Sequence, residues 1–93
     1  MNRNKSDNIS EIANILSSIS NSDDMEIFIE EVLTPSEIIT LSKRWRILKM
    51  LKEGRTQREI SNELKVSLCK VTRGSQILKD KNSVVMKYLT KER

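Results

Sequence analysis

The stretch TQREISNELKVSLCKVTRGS, residues 56–75, decides the fold. Thr56 and Glu59 stand three residues apart, the spacing of a capping box. A Thr hydroxyl there accepts from the third helical N–H, and the Glu carboxylate reaches back to the cap's own N–H. A short helix carrying Ile60 and Leu64 is expected from this point, with a break at Lys65-Val66-Ser67. Ser67 suits the cap of a further helix, with Leu68, Val71 and Leu78 turned inward. Two short helices at roughly 90–120° form a helix-turn-helix, over about residues 56–79, whose second helix can enter a major groove ~12 Å wide. Gln57 opens the pattern, and Ser61 is the small residue where the helices cross. Leu64, Val66 and Val71 are the apolar contacts that set the angle. Lys65 stands where such turns often carry glycine; a left-handed residue other than glycine costs roughly 1–2 kcal/mol. Gln57, Arg58, Lys70 and Arg73 supply donors for phosphates and base edges. A plain helical hairpin within a bundle is the competing interpretation of the same pattern.

Upstream, Thr34-Pro35-Ser36-Glu37 is a second helix start, with Thr34 as cap, Pro35 at the first helical position and Glu37 closing a capping box. The helix carries Ile38, Leu41, Trp45, Leu48 and Leu51 on one side, and Gly54 ends it. Trp45 reads as a core residue. Before it, Ile9, Ile12, Ile15, Leu16 and Ile19 form a helical stripe with Asn8 as its cap. A polar break at residues 21–24 precedes a helix with Met25, Phe28, Ile29 and Val32 on one face. A last helix begins around Asn82-Ser83 and holds Val84, Val85, Tyr88 and Leu89. The sum is an all-α, six-helix chain: a polar, disordered tail over 1–8 and one helical domain over 9–93.

Composition narrows the chemistry. With 93 residues the chain makes at most one domain. It has no histidine and one cysteine, so a disulfide framework and His-based catalysis or metal binding are excluded. Two glycines cannot build a phosphate-cradling loop. No apolar run suits a membrane span or a signal peptide, which predicts a cytoplasmic protein without membrane partners. No catalytic constellation, metal site or cofactor motif emerges, so an enzyme is not expected. Two basic and seven acidic residues fall in 1–33, against fifteen basic and six acidic in 34–93. The second segment suits a polyanion.

Leu33-Thr34-Pro35, Arg44-Trp45-Arg46-Ile47, Gly54, Thr56-Gln57-Arg58-Glu59 and Val71-Thr72-Arg73-Gly74-Ser75 together resemble the Trp repressor family, over about residues 28–80. The family is a helix-turn-helix example whose base contacts are largely carried by water. The resemblance implies an intertwined homodimer that binds a double-stranded DNA operator. It implies a transcriptional repressor with L-tryptophan as corepressor, controlling tryptophan biosynthesis or transport genes. It places the ligand between Arg44 and Arg73, with Leu33 and Thr34 closing the pocket and Gly74 beside the ligand. It assigns DNA contact to Gln57, Arg58, Ser67, Leu68, Cys69, Lys70 and Thr72. Guanidinium groups stack on aromatic faces and hold carboxylates through a fork of donors, so an arginine pair suits tryptophan.

The chain departs from the family pattern at three places. Ile77 stands where a serine often helps to hold the ligand's ammonium, and it cannot accept a hydrogen bond. Backbone carbonyls near Leu33 are then expected to serve instead. Lys70 replaces a pocket threonine, and the joint from Gly54 to Thr56 is one residue short, as in a related branch of such regulators. A regulator of this type with another effector or none is therefore an alternative. A helical protein-interaction module is an alternative of another class.

Overall fold

A computed structural model describes residues 5–91. Six helices run in order among the described residues: α1 Lys5–Ser18, α2 Ser22–Val32, α3 Pro35–Lys52, α4 Gln57–Leu64, α5 Leu68–Lys79 and α6 Val84–Lys91. No strand occurs among those residues. The chain divides between Ile38 and Ile39 into two compact units.

In the first unit, α1 begins at Lys5, so Asn8 lies inside the helix rather than at its cap. The helix thus takes in residues 5–8 of the expected tail, and residues 1–4 fall outside the described chain. Ile9, Ile12, Ile15 and Leu16 are all exposed. At the start of α2 the Asn21 side chain accepts from the Asp24 N–H at 3.0 Å. Asp23 and Asp24 sit in that first turn, where carboxylates favour the positive end of the helix dipole. Met25, Phe28 and Ile29 are half-buried, while Val32 at the end of their stripe is exposed. The Leu33 N–H closes α2 by donating to the Ile29 carbonyl at 2.9 Å. The first capping box forms as read. The Glu37 N–H donates to Thr34 Oγ1 at 3.1 Å, and the Thr34 N–H donates to Glu37 Oε1 at 2.9 Å.

The second unit is built on the later part of α3. Its buried cluster is Ile47 and Met50 from α3, Ile60 from α4 and Val71 from α5, flanked by Leu51, Leu64 and Val66. Ile47 and Met50 were not on the expected stripe. Apolar residues surround α3: Ile47, Met50 and Leu51 follow one helical spacing, and Ile38, Leu41, Trp45 and Leu48 follow another. The first set packs on the helix-turn-helix. In the second set Leu48 is buried, Ile38 and Trp45 are half-buried, and Leu41 is exposed. The helix stops where Gly54, at φ 91°, takes the left-handed conformation that glycine adopts without penalty.

Gly74 explains how α5 comes so close to α3. A Cβ added there would lie 3.0 Å from Ile47 Cγ2 and 3.2 Å from Leu51 Cδ1. The missing side chain is what lets the helices meet. Leu68 is 48 % exposed rather than inward, since the core side of α5 is set by Val71, Gly74 and Leu78. At the C-terminal end Leu89 is buried on α6, whereas Val84 and Tyr88 are exposed.

Candidate nucleic-acid interface and ligand cleft

The turn between α4 and α5 is fixed by local bonds. Thr56 and Glu59 form the full capping box, with the Glu59 N–H donating to Thr56 Oγ1 at 3.1 Å and the Thr56 N–H donating to Glu59 Oε1 at 2.9 Å. The backbone bond and the hydroxyl bond from Thr56, in that order, hold the Glu59 carboxyl below its ordinary pKa of 4.5. Just before the cap, Arg55 donates to Glu63 across α4. That bond and the Glu63 charge raise the guanidinium above its ordinary value. Lys65 ends α4 at φ 58°, ψ 48°, the left-handed conformation expected of the missing glycine. Ser61 does more than allow a close crossing. Its hydroxyl donates to the Val66 carbonyl at 2.6 Å, and the Val66 N–H donates back to the Ser61 carbonyl at 3.1 Å. Ser67 caps α5 by accepting from the Lys70 N–H.

This frame presents the residues assigned to DNA. Arg58, Ser67, Leu68, Cys69, Lys70 and Thr72 are exposed, and Gln57 is half-buried. Cys69 is a free, exposed thiol at the start of α5. One tie was not legible from spacing: the Thr72 hydroxyl donates to Gln57 Oε1 at 3.0 Å, joining the first turn of α4 to the second turn of α5. With its carbonyl oxygen held in this way, Gln57 keeps its amide NH₂ as a donor.

On the other side of α5 lies a cleft of about 240 Å³ lined by Arg44, Ile47, Leu48, Lys70, Arg73, Gly74 and Ile77. The expected arginine pair is brought together here, Arg44 from α3 and Arg73 from α5. Gly74 forms part of the wall, and the walls between the cations are apolar. The volume lies just below the roughly 300–1,000 Å³ of drug-sized sites. Leu33 and Thr34 lie in the first unit, as the last residue of α2's cap and the cap of α3. Lys70 lines the cleft from the exposed first turn of α5. Beside the cleft, a second depression is lined by Arg73, Gln76, Ile77, Asp80 and Ser83. Of these, Gln76, Asp80 and Ser83 were not expected from the sequence. No motif marks them; the one trace in the sequence is that Asp80 follows Arg73 by seven residues and Ile77 by three, the spacing of one helix face carried on to the C-cap of α5.

Residues 7–93 match the family model for the Trp repressor protein. The chain belongs to the Trp repressor family. It is 41 % identical over 69 residues to a Trp operon repressor homolog of Xylella fastidiosa, which covers 73 % of this chain and 75 % of that protein. A Trp operon repressor homolog of Chlamydia trachomatis is 39 % identical over 61 residues, covering 64 % of this chain and 65 % of the relative. No solved structure matches the chain. As a member of the Trp repressor family the protein is a repressor-like regulator and not an enzyme. No helix among the described residues is long and apolar enough to cross a membrane.

Proposed function

We infer that the protein is a cytoplasmic transcriptional repressor that binds operator DNA as a homodimer, with L-tryptophan as corepressor for genes of tryptophan biosynthesis or transport. The observation that carries this reading is the convergence of Arg44 and Arg73 on one apolar-walled cleft behind the reading helix. One guanidinium can stack on an indole while another forks onto a carboxylate. A ligand wedged there sets the distance between α3 and α5, and so the presentation of Thr72, Lys70 and Arg58. The homodimer is supported by the unburied stripe of α1, since exposed apolar faces of this extent mark interaction surfaces.

Ile77 and Lys70 in the cleft favour a second reading, the same DNA-binding regulator with an effector other than tryptophan. Selection from a random-sequence duplex pool, with and without L-tryptophan, separates the two. The first reading expects enrichment only with tryptophan, of a near-palindromic site with half-sites roughly 34–36 Å apart. Binding should fall steeply as salt rises, through release of counterions from phosphates. Enrichment indifferent to tryptophan favours the second reading. A protein-interaction module would enrich no duplex under either condition.

A further inference from the structure

Three cations, Arg44, Lys70 and Arg73, border the cleft, and none of its lining side chains carries a negative charge. An α-amino acid needs more than that, because its ammonium lies on the same carbon as its carboxylate. Leaving the ammonium without an acceptor beside three cations would weaken binding. Ile77, on the cleft wall, offers no acceptor. The neighbouring depression shares Arg73 and Ile77 with the cleft and adds Asp80, the one anionic side chain lining either space.

We propose that Asp80, rather than the backbone carbonyls expected near Leu33, receives the ammonium of an L-α-amino acid whose side chain fills the cleft and whose carboxylate is held at Arg73. This rests on the corepressor reading above and makes Asp80 the residue that tells an amino acid from a plain aromatic acid. Arg73 borders both spaces, so a carboxylate held by it brings the α-carbon to the junction at Ile77. The ammonium then lies on the Asp80 side. Asp80 is well placed to act as a fixed acceptor. Its N–H donates to the Ile77 carbonyl at 3.3 Å, and its own carbonyl accepts from the Ser83 N–H at 3.1 Å. Its Oδ1 accepts from the Asn82 N–H at 2.9 Å. A carboxylate has two oxygens and about four lone-pair sites, so this turn bond leaves capacity for an ammonium. Gln76 and Ser83, on the same depression, add neutral polar groups around it.

The test compares L-tryptophan with indole-3-propionic acid, which keeps the ring and carboxylate and lacks only the ammonium. Both are titrated by calorimetry into the full chain and its Asp80→Asn variant, which retains an oxygen for the Asn82 N–H. The parent should prefer L-tryptophan, and Asp80→Asn should reduce that preference at least about threefold, the order of an exposed charge-assisted bond. Indole-3-propionic acid should bind the variant as it binds the parent, which also shows that the cleft is intact. A preference that survives in Asp80→Asn overturns the role of Asp80 and leaves the corepressor reading in place. A parent that binds indole-3-propionic acid as tightly as L-tryptophan overturns it too. If the parent binds neither, the corepressor reading fails, and the role of Asp80 with it.

Discussion

At the residue scale, Gly74 and Lys65 make opposite demands on the side chain. Gly74→Ala places a methyl group 3.0 Å from Ile47 Cγ2 and 3.2 Å from Leu51 Cδ1, so α5 or those side chains must shift. Overpacking of this kind costs about 1–3 kcal/mol, offset in part by alanine's better helix propensity of up to ~1 kcal/mol. Chemical denaturation should therefore find the variant less stable, with the cleft narrowed and ligand affinity reduced. A more stable variant with unchanged ligand affinity would contradict the close approach. Lys65 holds a left-handed conformation without being glycine. Lys65→Gly should raise stability by up to about 1 kcal/mol, read as a later denaturation midpoint with unchanged slope. Neither residue's contacts were legible in the sequence, but the types were: a glycine inside a helix pattern and a lysine at a turn. Arg44 and Arg73 were legible through the family motif. Asp80 was not, because it belongs to no motif and shares the site only through the spacing of α5.

At the scale of elements, helix starts were the most legible features and apolar faces the least. Both capping boxes form where Thr34-Pro35-Ser36-Glu37 and Thr56-Gln57-Arg58-Glu59 announced them, because a cap is decided within four residues. Asn8 failed as a cap because a helix N-terminus can lie upstream of its first apolar residue, and α1 takes in polar residues from Lys5. The stripe on α3 was half right. A helix with two apolar faces shows no single side to a periodicity argument, and only packing decides that Ile47 and Met50 form the core. The α4 cap also sets a pH dependence. The carboxyl of Glu59 titrates lower in the folded chain than in the unfolded one, so its contribution is present above the unfolded pKa, about 4.5. That contribution is lost as pH falls through the lower folded value. Glu59→Gln should therefore lessen the acid-side loss of stability, measured as melting temperature against pH between about 6 and 3. An unchanged profile would remove the capping carboxylate from the account. On the reading helix, Lys70→Ala and Thr72→Ala should weaken duplex binding while circular dichroism stays helical. Lys70→Ala should also reduce the salt slope by about one, the mark of a lost phosphate contact.

At the scale of the whole molecule, the described chain buries few large side chains. Ile47, Ile60 and Val71 are the largest fully buried ones, and the apolar residues of α1 face outward. The six-helix content was readable from caps and spacings, but what covers those faces was not. Stability should rise with protein concentration if a second copy covers them. Sedimentation or light scattering that finds a folded monomer at micromolar concentration would contradict the dimer. Regulation also belongs to this scale: if a ligand between α3 and α5 tightens DNA on α5, DNA tightens the ligand by the same factor. The most direct test is calorimetric titration of L-tryptophan into the parent and into Arg44→Ala. Arg44 is exposed on α3, where its loss spares the core. The account predicts heat of binding with the parent and a melting shift equivalent to about 2.7 kcal/mol at a hundredfold excess over Kd. It predicts neither effect for Arg44→Ala, with that variant's helical signal intact. A parent that shows no heat and no melting shift at millimolar L-tryptophan, or an Arg44→Ala variant that binds it equally well, would contradict the account.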